Sequence, residues 1–174
     1  MLIVSLIGLK KCGKTTTAEA LIGEFRSRGF RVGAVKFMPN STLTLDVEGK
    51  DTWRHRNAGA DFVISLSRGE IGYIGNVEGR ATIEDALNLV PEGTDILVCE
   101  GYNTTDPRII KIILARDPPS LEETMEVRGV KGDFLAVSGI ISNTEFNHPD
   151  LPVLDATSPD QLKKLADLII GKGQ

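Results

Sequence analysis

Residues 8–16 read Gly-Leu-Lys-Lys-Cys-Gly-Lys-Thr-Thr and fit the pattern G-x-x-x-x-G-K-[ST] at Gly8, Gly13, Lys14 and Thr15. The flanks of this stretch constrain the fold. Residues 2–7, Leu-Ile-Val-Ser-Leu-Ile, form the short apolar run of a buried parallel strand. Residues 16–28 place Ala18, Leu21, Ile22 and Phe25 on one helical face. Strand, glycine loop and helix in that order predict a phosphate cradle. Its glycines let backbone N–H groups close around phosphate oxygens, and the helix N-terminus adds the positive end of its dipole. In such a cradle Lys14 reaches the β- and γ-phosphates, and the Thr15 hydroxyl ligates Mg²⁺.

The chain that follows alternates strand and helix. Residues 31–36, Arg-Val-Gly-Ala-Val-Lys, read as a second strand, which completes a right-handed βαβ unit. Lys36 then stands at the carboxyl end of its strand, where open α/β sheets bind ligands. Residues 37–49 have no helical period and read as a long loop. Its Asp46 suits a Mg²⁺ shell and equally a solvated loop acid. Residues 50–60 predict a short helix capped by Asp51 or Thr52 and ending near Gly59. That helix is rich in cations for an acidic protein. Lys50, Arg54 and His55 either face an anion or make a charged surface over a buried Trp53.

Residues 61–66 and 70–76 read as strands, the second weakened by its glycines. Thr82 and Asp85 have capping-box spacing at the start of a helix over 82–89. Residues 94–101, Thr-Asp-Ile-Leu-Val-Cys-Glu-Gly, read as a central strand delivering Glu100 at its carboxyl end. A carboxylate there holds a Mg²⁺ water, orients an attacking water, or pairs with Lys36 or Lys14. Residues 109–114 are a further strand, Pro118-Pro119 breaks the chain, and residues 120–131 show no assignable pattern. Residues 133–143 are expected to form a strand ending near Ser142 and Asn143, from which Asn143 reaches a nucleotide base. Residues 152–155 read as a short last strand. Ser158 is the expected cap of a final helix over 159–170 that buries Leu162, Leu165, Ala166 and Ile169. The expected fold class is α/β: a P-loop NTPase with a mostly parallel central sheet flanked by helices, a small β excursion around 66–80, and one domain over 1–174.

Composition narrows the function classes. The net charge of −4 offers no basic field for nucleic acid. No run of 18 apolar residues suggests a membrane span, and Met1 leads straight into the first strand, so a cytoplasmic protein is expected. Cys12 and Cys99 make neither a disulfide framework nor a zinc site. Cys12 lies inside the phosphate loop, either as an oxidation-sensitive thiol or as a variable loop position.

The guanine signature N-K-x-D does not occur. The combination of Gly8 to Thr16, Val35-Lys36, Asp46, the segment Gly-Lys-Asp-Thr-Trp-Arg-His-Arg-Asn-Ala-Gly-Ala at 49–60, and Leu-Val-Cys-Glu-Gly-Tyr at 97–102 resembles the MobB family. These are adaptor proteins of molybdopterin guanine dinucleotide biosynthesis, with a SIMIBI-type P-loop. The 49–60 segment is the most specific part. The family's V-E-G-F-K appears as Cys-Glu-Gly-Tyr-Asn at 99–103, and Phe37-Met38-Pro39-Asn40 replaces the histidines that often follow the second-strand lysine.

The resemblance implies GTP as ligand, Mg²⁺ as cofactor, slow hydrolysis at most, and a homodimer. It also implies assistance to the MobA-like guanylyltransferase that joins GMP to molybdopterin. By that similarity the loop residues Gly8, Lys10, Lys11, Cys12, Gly13, Lys14, Thr15 and Thr16 bind nucleotide. Asp46 and Glu100 complete the metal shell of Thr15. Arg54 is the best candidate, beside Lys14 and Glu100, for a catalytic role as an arginine finger. A competing reading is a P-loop kinase acting on a small metabolite. Its lid would need several arginines, and Arg68, Arg80, Arg108 and Arg116 are scattered in loops. A metallochaperone-type GTPase would need His or Cys clusters, and the chain has two of each, far apart in sequence.

Overall fold

The computed structural model describes residues 1–38, 45–77, 79–127 and 133–173. The chain divides into two compact units, Met1–Phe37 with Val90–Gln174, and Met38–Leu89. The first unit is built on a five-stranded sheet. Its strands are β1 (Leu2–Gly8), β2 (Val32–Lys36), β5 (Ile96–Glu100), β6 (Ile109–Leu114) and β7 (Phe134–Ser138), in the order β2-β5-β1-β6-β7. Every pairing in it is parallel. Val153 adds a single parallel bridge to Val137 beyond the β7 edge.

A parallel sheet needs both faces covered, and its central strands accordingly read as unbroken apolar runs. Successive β1 residues point to opposite faces. Val4 and Leu6 face a cluster with Leu21 and Phe25 of α1 (Lys14–Ser27) and Leu165, Ala166 and Ile169 of α5 (Pro159–Lys172). Ile7 faces the other way, among Ile113, Leu121, Phe134, Val137 and Ile141. Leu121 belongs to α4 (Pro118–Val127). Truncating one of these fully buried Leu or Ile side chains to Ala costs about 2–5 kcal/mol.

Three expectations for this unit change. Pro118-Pro119 does not break the chain but opens α4, because a proline in the first helical turn lacks only an N–H that would have no partner there. Asp117 supports this start, accepting from Ser120 N–H at 2.8 Å. The strand expected over 133–143 stops at Ser138. Gly139, at φ 90°, turns the chain into a short 3₁₀ turn over Ile140–Asn143. Ser158 occupies the cap position of α5 without a capping side-chain bond.

The second unit holds α2 (Asp51–Asn57), the antiparallel pair β3 (Phe62–Leu66) and β4 (Ile71–Gly75), and α3 (Ile83–Leu87). The Thr82–Asp85 capping box forms as its spacing predicts. In α2 the cap position falls on Lys50 rather than Asp51 or Thr52, because the Thr52 hydroxyl donates instead to Asp46 at 2.6 Å. No α2 residue is fully buried, and Trp53 is half-buried. Residues 39–44 of the loop expected at 37–49 lie outside the described residues. No helix among the described residues is long and apolar enough to cross a membrane.

Candidate functional site

The loop between β1 and α1 is shaped to meet an anion. Gly13 takes the N-cap position of α1 at φ 93°, a left-handed conformation, and supplies no capping side chain. The first turn, Lys14-Thr15-Thr16, contains no acid. The orphan N–H groups and positive dipole end that other helices satisfy with Ser, Asp or Glu are thus offered to whatever lies above the loop. Lys11 is at φ 60°, the one non-glycine residue at positive φ among the described residues. Such conformations cost about 1–3 kcal/mol and cluster at ligand sites, where successive N–H groups turn inward as an anion nest.

Lys14 Nζ folds over this loop. It donates to the Gly8 carbonyl at 3.0 Å, to the Leu9 carbonyl, and toward Cys12 Sγ at 3.6 Å. Lys10 and Lys11 are exposed on the loop's outer side. Cys12 is buried, with its thiol donating to the Leu9 carbonyl at 3.0 Å. It serves the loop through packing and backbone, and its burial argues against ready oxidation.

Beside the loop, the pairing of β1 with β5 and of β5 with β2 brings three predicted residues together. Thr15 Oγ1 lies 3.1 Å from both Glu100 carboxylate oxygens. Lys36 Nζ is 3.6 Å from Glu100 Oε1, and it is 60% exposed against 17% for Glu100. The aromatic rings of Phe37 and Tyr102, the residues that follow β2 and β5 closely, pack edge to face at 4.8 Å. Thr15 and Glu100 present hard oxygen donors to one point, the donor type that Mg²⁺ takes alongside phosphate oxygens and water. No group of three His, Cys, Asp or Glu able to hold a metal ion occurs among the described residues. The Thr15 and Glu100 oxygens suit an ion shared with a phosphate.

Asp46 and Arg54 belong to the second unit. Asp46 is buried there. It accepts from Val47 N–H at 3.0 Å and from the Thr52 hydroxyl, and Arg56 lies 3.8 Å away. The buried acid thus closes its own loop onto α2, a structural role that sequence reading did not foresee. Arg54 is 71% exposed and lies 3.8 Å from Asp51.

Asn143 ends the 3₁₀ turn after β7. With its amide nitrogen toward Asp155 it donates to both carboxylate oxygens, at 2.8 and 2.9 Å. Sequence reading missed Asp155, which closes the short segment 152–155. It also missed the contact of the 139–140 turn with the loop: Ile140 N–H donates to the Cys12 carbonyl at 3.3 Å. The rule that drew attention to Glu100, an acid where a strand meets the carboxyl edge of the sheet, applies equally to Asp155.

Comparison with known proteins shows the family and the fold. The sequence matches the family model for MobB, molybdopterin guanine dinucleotide synthesis protein B, over residues 3–137. It is 39% identical over 116 residues to the molybdopterin-guanine dinucleotide biosynthesis adapter protein of Haemophilus influenzae; the match covers 66% of this chain and 63% of that protein. A probable adapter protein of the same name from Bacillus subtilis is 26% identical over 172 residues, covering 90% of this chain and 87% of the relative. In three dimensions the chain is similar to the crystal structure of Bacillus subtilis MobB, with TM-score 0.73 and 23% identity, covering 97% of this chain and 98% of that one. That likeness concerns the fold.

Proposed function

This chain belongs to the MobB family, and from that premise we propose that it is a GTP-binding accessory protein of molybdopterin guanine dinucleotide biosynthesis. The observation that carries the reading is the α1 N-terminus. It is free of capping side chains and acids, and it stands behind a loop with a left-handed lysine and the Lys14 ammonium. The loop N–H groups and Lys14 bind the β- and γ-phosphates, for which Lys14 exchanges its carbonyl partners. Thr15 and Glu100 hold Mg²⁺, which neutralises charge between the β- and γ-phosphates. Glu100 also orients water near the γ-phosphate, and Lys36, 3.6 Å away, holds that carboxylate in place. Arg54, exposed on α2, is the candidate arginine finger, a group on which transition-state stabilisation of ~10³–10⁵ in rate depends. Hydrolysis is slow unless that arginine is delivered.

The partners follow from the family role: the guanylyltransferase that uses GMP and molybdopterin, and a second copy of this chain. The β3–β4 pair supports the homodimer. Phe62, Ile64, Leu66, Ile71 and Tyr73 are 48–77% exposed. The register sets Ile64 opposite Tyr73 and Leu66 opposite Ile71, and the Phe62 and Tyr73 rings stack at 5.8 Å. A two-stranded hairpin with such a face is marginal alone in water and calls for a partner. We read residues 1–174 as one functional domain and the protein as cytoplasmic.

The test is calorimetry of GTP and ATP, each with Mg²⁺, on the wild type and on Lys14→Ala. GTP is expected to bind more tightly than ATP. Loss of the charge-assisted contacts of Lys14 is expected to weaken GTP by about 100-fold or more. Unchanged affinity in Lys14→Ala would remove the phosphate site. A tenfold preference for ATP would favour a metabolite kinase instead.

A further inference from the structure

We propose that Asp155 reads the base of the bound nucleotide and selects guanine; this rests on the phosphate site proposed above and adds the residue that sets its specificity. The direction in which a nucleotide lies follows from the two flanks of the loop. Thr15 and Glu100 stand on the β5 side of β1 and mark the metal end of the phosphate chain. Sugar and base therefore extend the opposite way, over the carboxyl ends of β6 and β7. There the 139–143 turn is fastened to the phosphate loop. Ile140 N–H bonds the Cys12 carbonyl, and a Cβ placed on Gly139 would lie 2.3 Å from that same oxygen. Asn143 ends this turn, and Asp155 follows the bridge of Val153 to Val137. The sheet thus brings both polar groups to the edge where the base arrives.

Asp155 is held in place before any base comes. Thr157 N–H and the Thr157 hydroxyl both donate to Oδ1 at 2.7 Å, and the Asp155 N–H donates to Gln161 Oε1 at 2.9 Å. The half-buried carboxylate accepts the Asn143 amide across both oxygens, so its outer edge already takes N–H donors. Guanine offers two adjacent donors on one edge, N1–H and the N2 amine, which suit two carboxylate oxygens. Adenine sets its N1 acceptor beside its amine, so one carboxylate oxygen would face a lone pair.

The experiment measures binding of GTP, ITP, XTP and ATP, each with Mg²⁺, to the wild type and to Asp155→Asn. Inosine lacks the N2 amine, and wild-type affinity for ITP is expected to fall about 10-fold below that for GTP, the effect of one lost donor. Asp155→Asn is expected to lose GTP by about 100-fold. It is also expected to bind XTP better than the wild type does, because an asparagine amide can donate to the xanthine O2. That gain cannot arise from misfolding. Wild-type preference for GTP with GTP affinity unchanged in Asp155→Asn would overturn the base-reading role and leave the phosphate site standing. Equal losses for GTP, ATP and XTP would overturn it too, reducing Asp155 to a support of its turn. Failure of the wild type to bind any of the four would end both proposals.

Discussion

Lys14, Thr15 and Glu100 show how much chemistry depends on a side chain's neighbours. Lys14 lies on a loop whose own carbonyls it can bond, so its ammonium is positioned before phosphate competes for it. The Glu100 carboxylate is pinned between the Thr15 hydroxyl and the Lys36 ammonium. Away from the site, the loop between β5 and β6 makes a pH prediction. The Arg108 guanidinium donates to Asp106 Oδ1 at 3.0 Å and Oδ2 at 2.6 Å, and Arg108 N–H donates to Oδ1 at 2.8 Å. These bonds, the side-chain ones first, hold the Asp106 carboxyl down to about 2 from an ordinary 3.8. A lowered folded value means the stabilisation is complete above 3.8 and is lost as pH falls through about 2. A carboxyl NMR titration is expected to place the Asp106 midpoint near 2. A midpoint near 3.8 would show that the Arg108 fork does not form in solution.

At the level of elements, local signals were read well where one stretch of chain decides the outcome. The Thr82–Asp85 box and the glycine loop are complete within a few residues. Local reading failed where a neighbour supplies the missing part. Pro118-Pro119 reads as a break until Asp117 is seen capping Ser120 and Leu121 is seen filling the core below the sheet. Residues 139–143 have strand-like composition, yet Gly139 turns them against the phosphate loop. The β3–β4 hairpin carries a prediction of its own. Ile64→Glu places a charge in the apolar face and is expected to weaken self-association by about 30-fold or more, as for loss of a buried hot spot. Sedimentation equilibrium against the wild type checks this; equal monomer–dimer equilibria would assign the dimer to another surface.

At the level of the whole molecule, ligand binding and stability are linked. A ligand bound only by the folded state, present at 100 times its Kd, adds about 2.7 kcal/mol. The melting temperature is therefore expected to rise with GTP and Mg²⁺, to fall back when EDTA removes the metal, and to ignore both in Lys14→Ala. Scanning fluorimetry reads all three; a shift preserved in Lys14→Ala would place the nucleotide elsewhere. The amino-acid order alone determined the phosphate loop, its flanking strand and helix, the α/β class, and the 49–60 segment on which the family resemblance rests. Each is specified by residues adjacent in the chain, where backbone conformation and periodicity act. Tertiary structure alone decided which strands bring Glu100 beside Thr15, that Asp46 bonds Thr52, and that Asn143 faces Asp155. The first depends on the skipped sheet order β2-β5-β1, which inserts a strand from late in the chain between two early ones. Periodicity within a segment says which face is buried, but nothing about which distant segment will lie beside it.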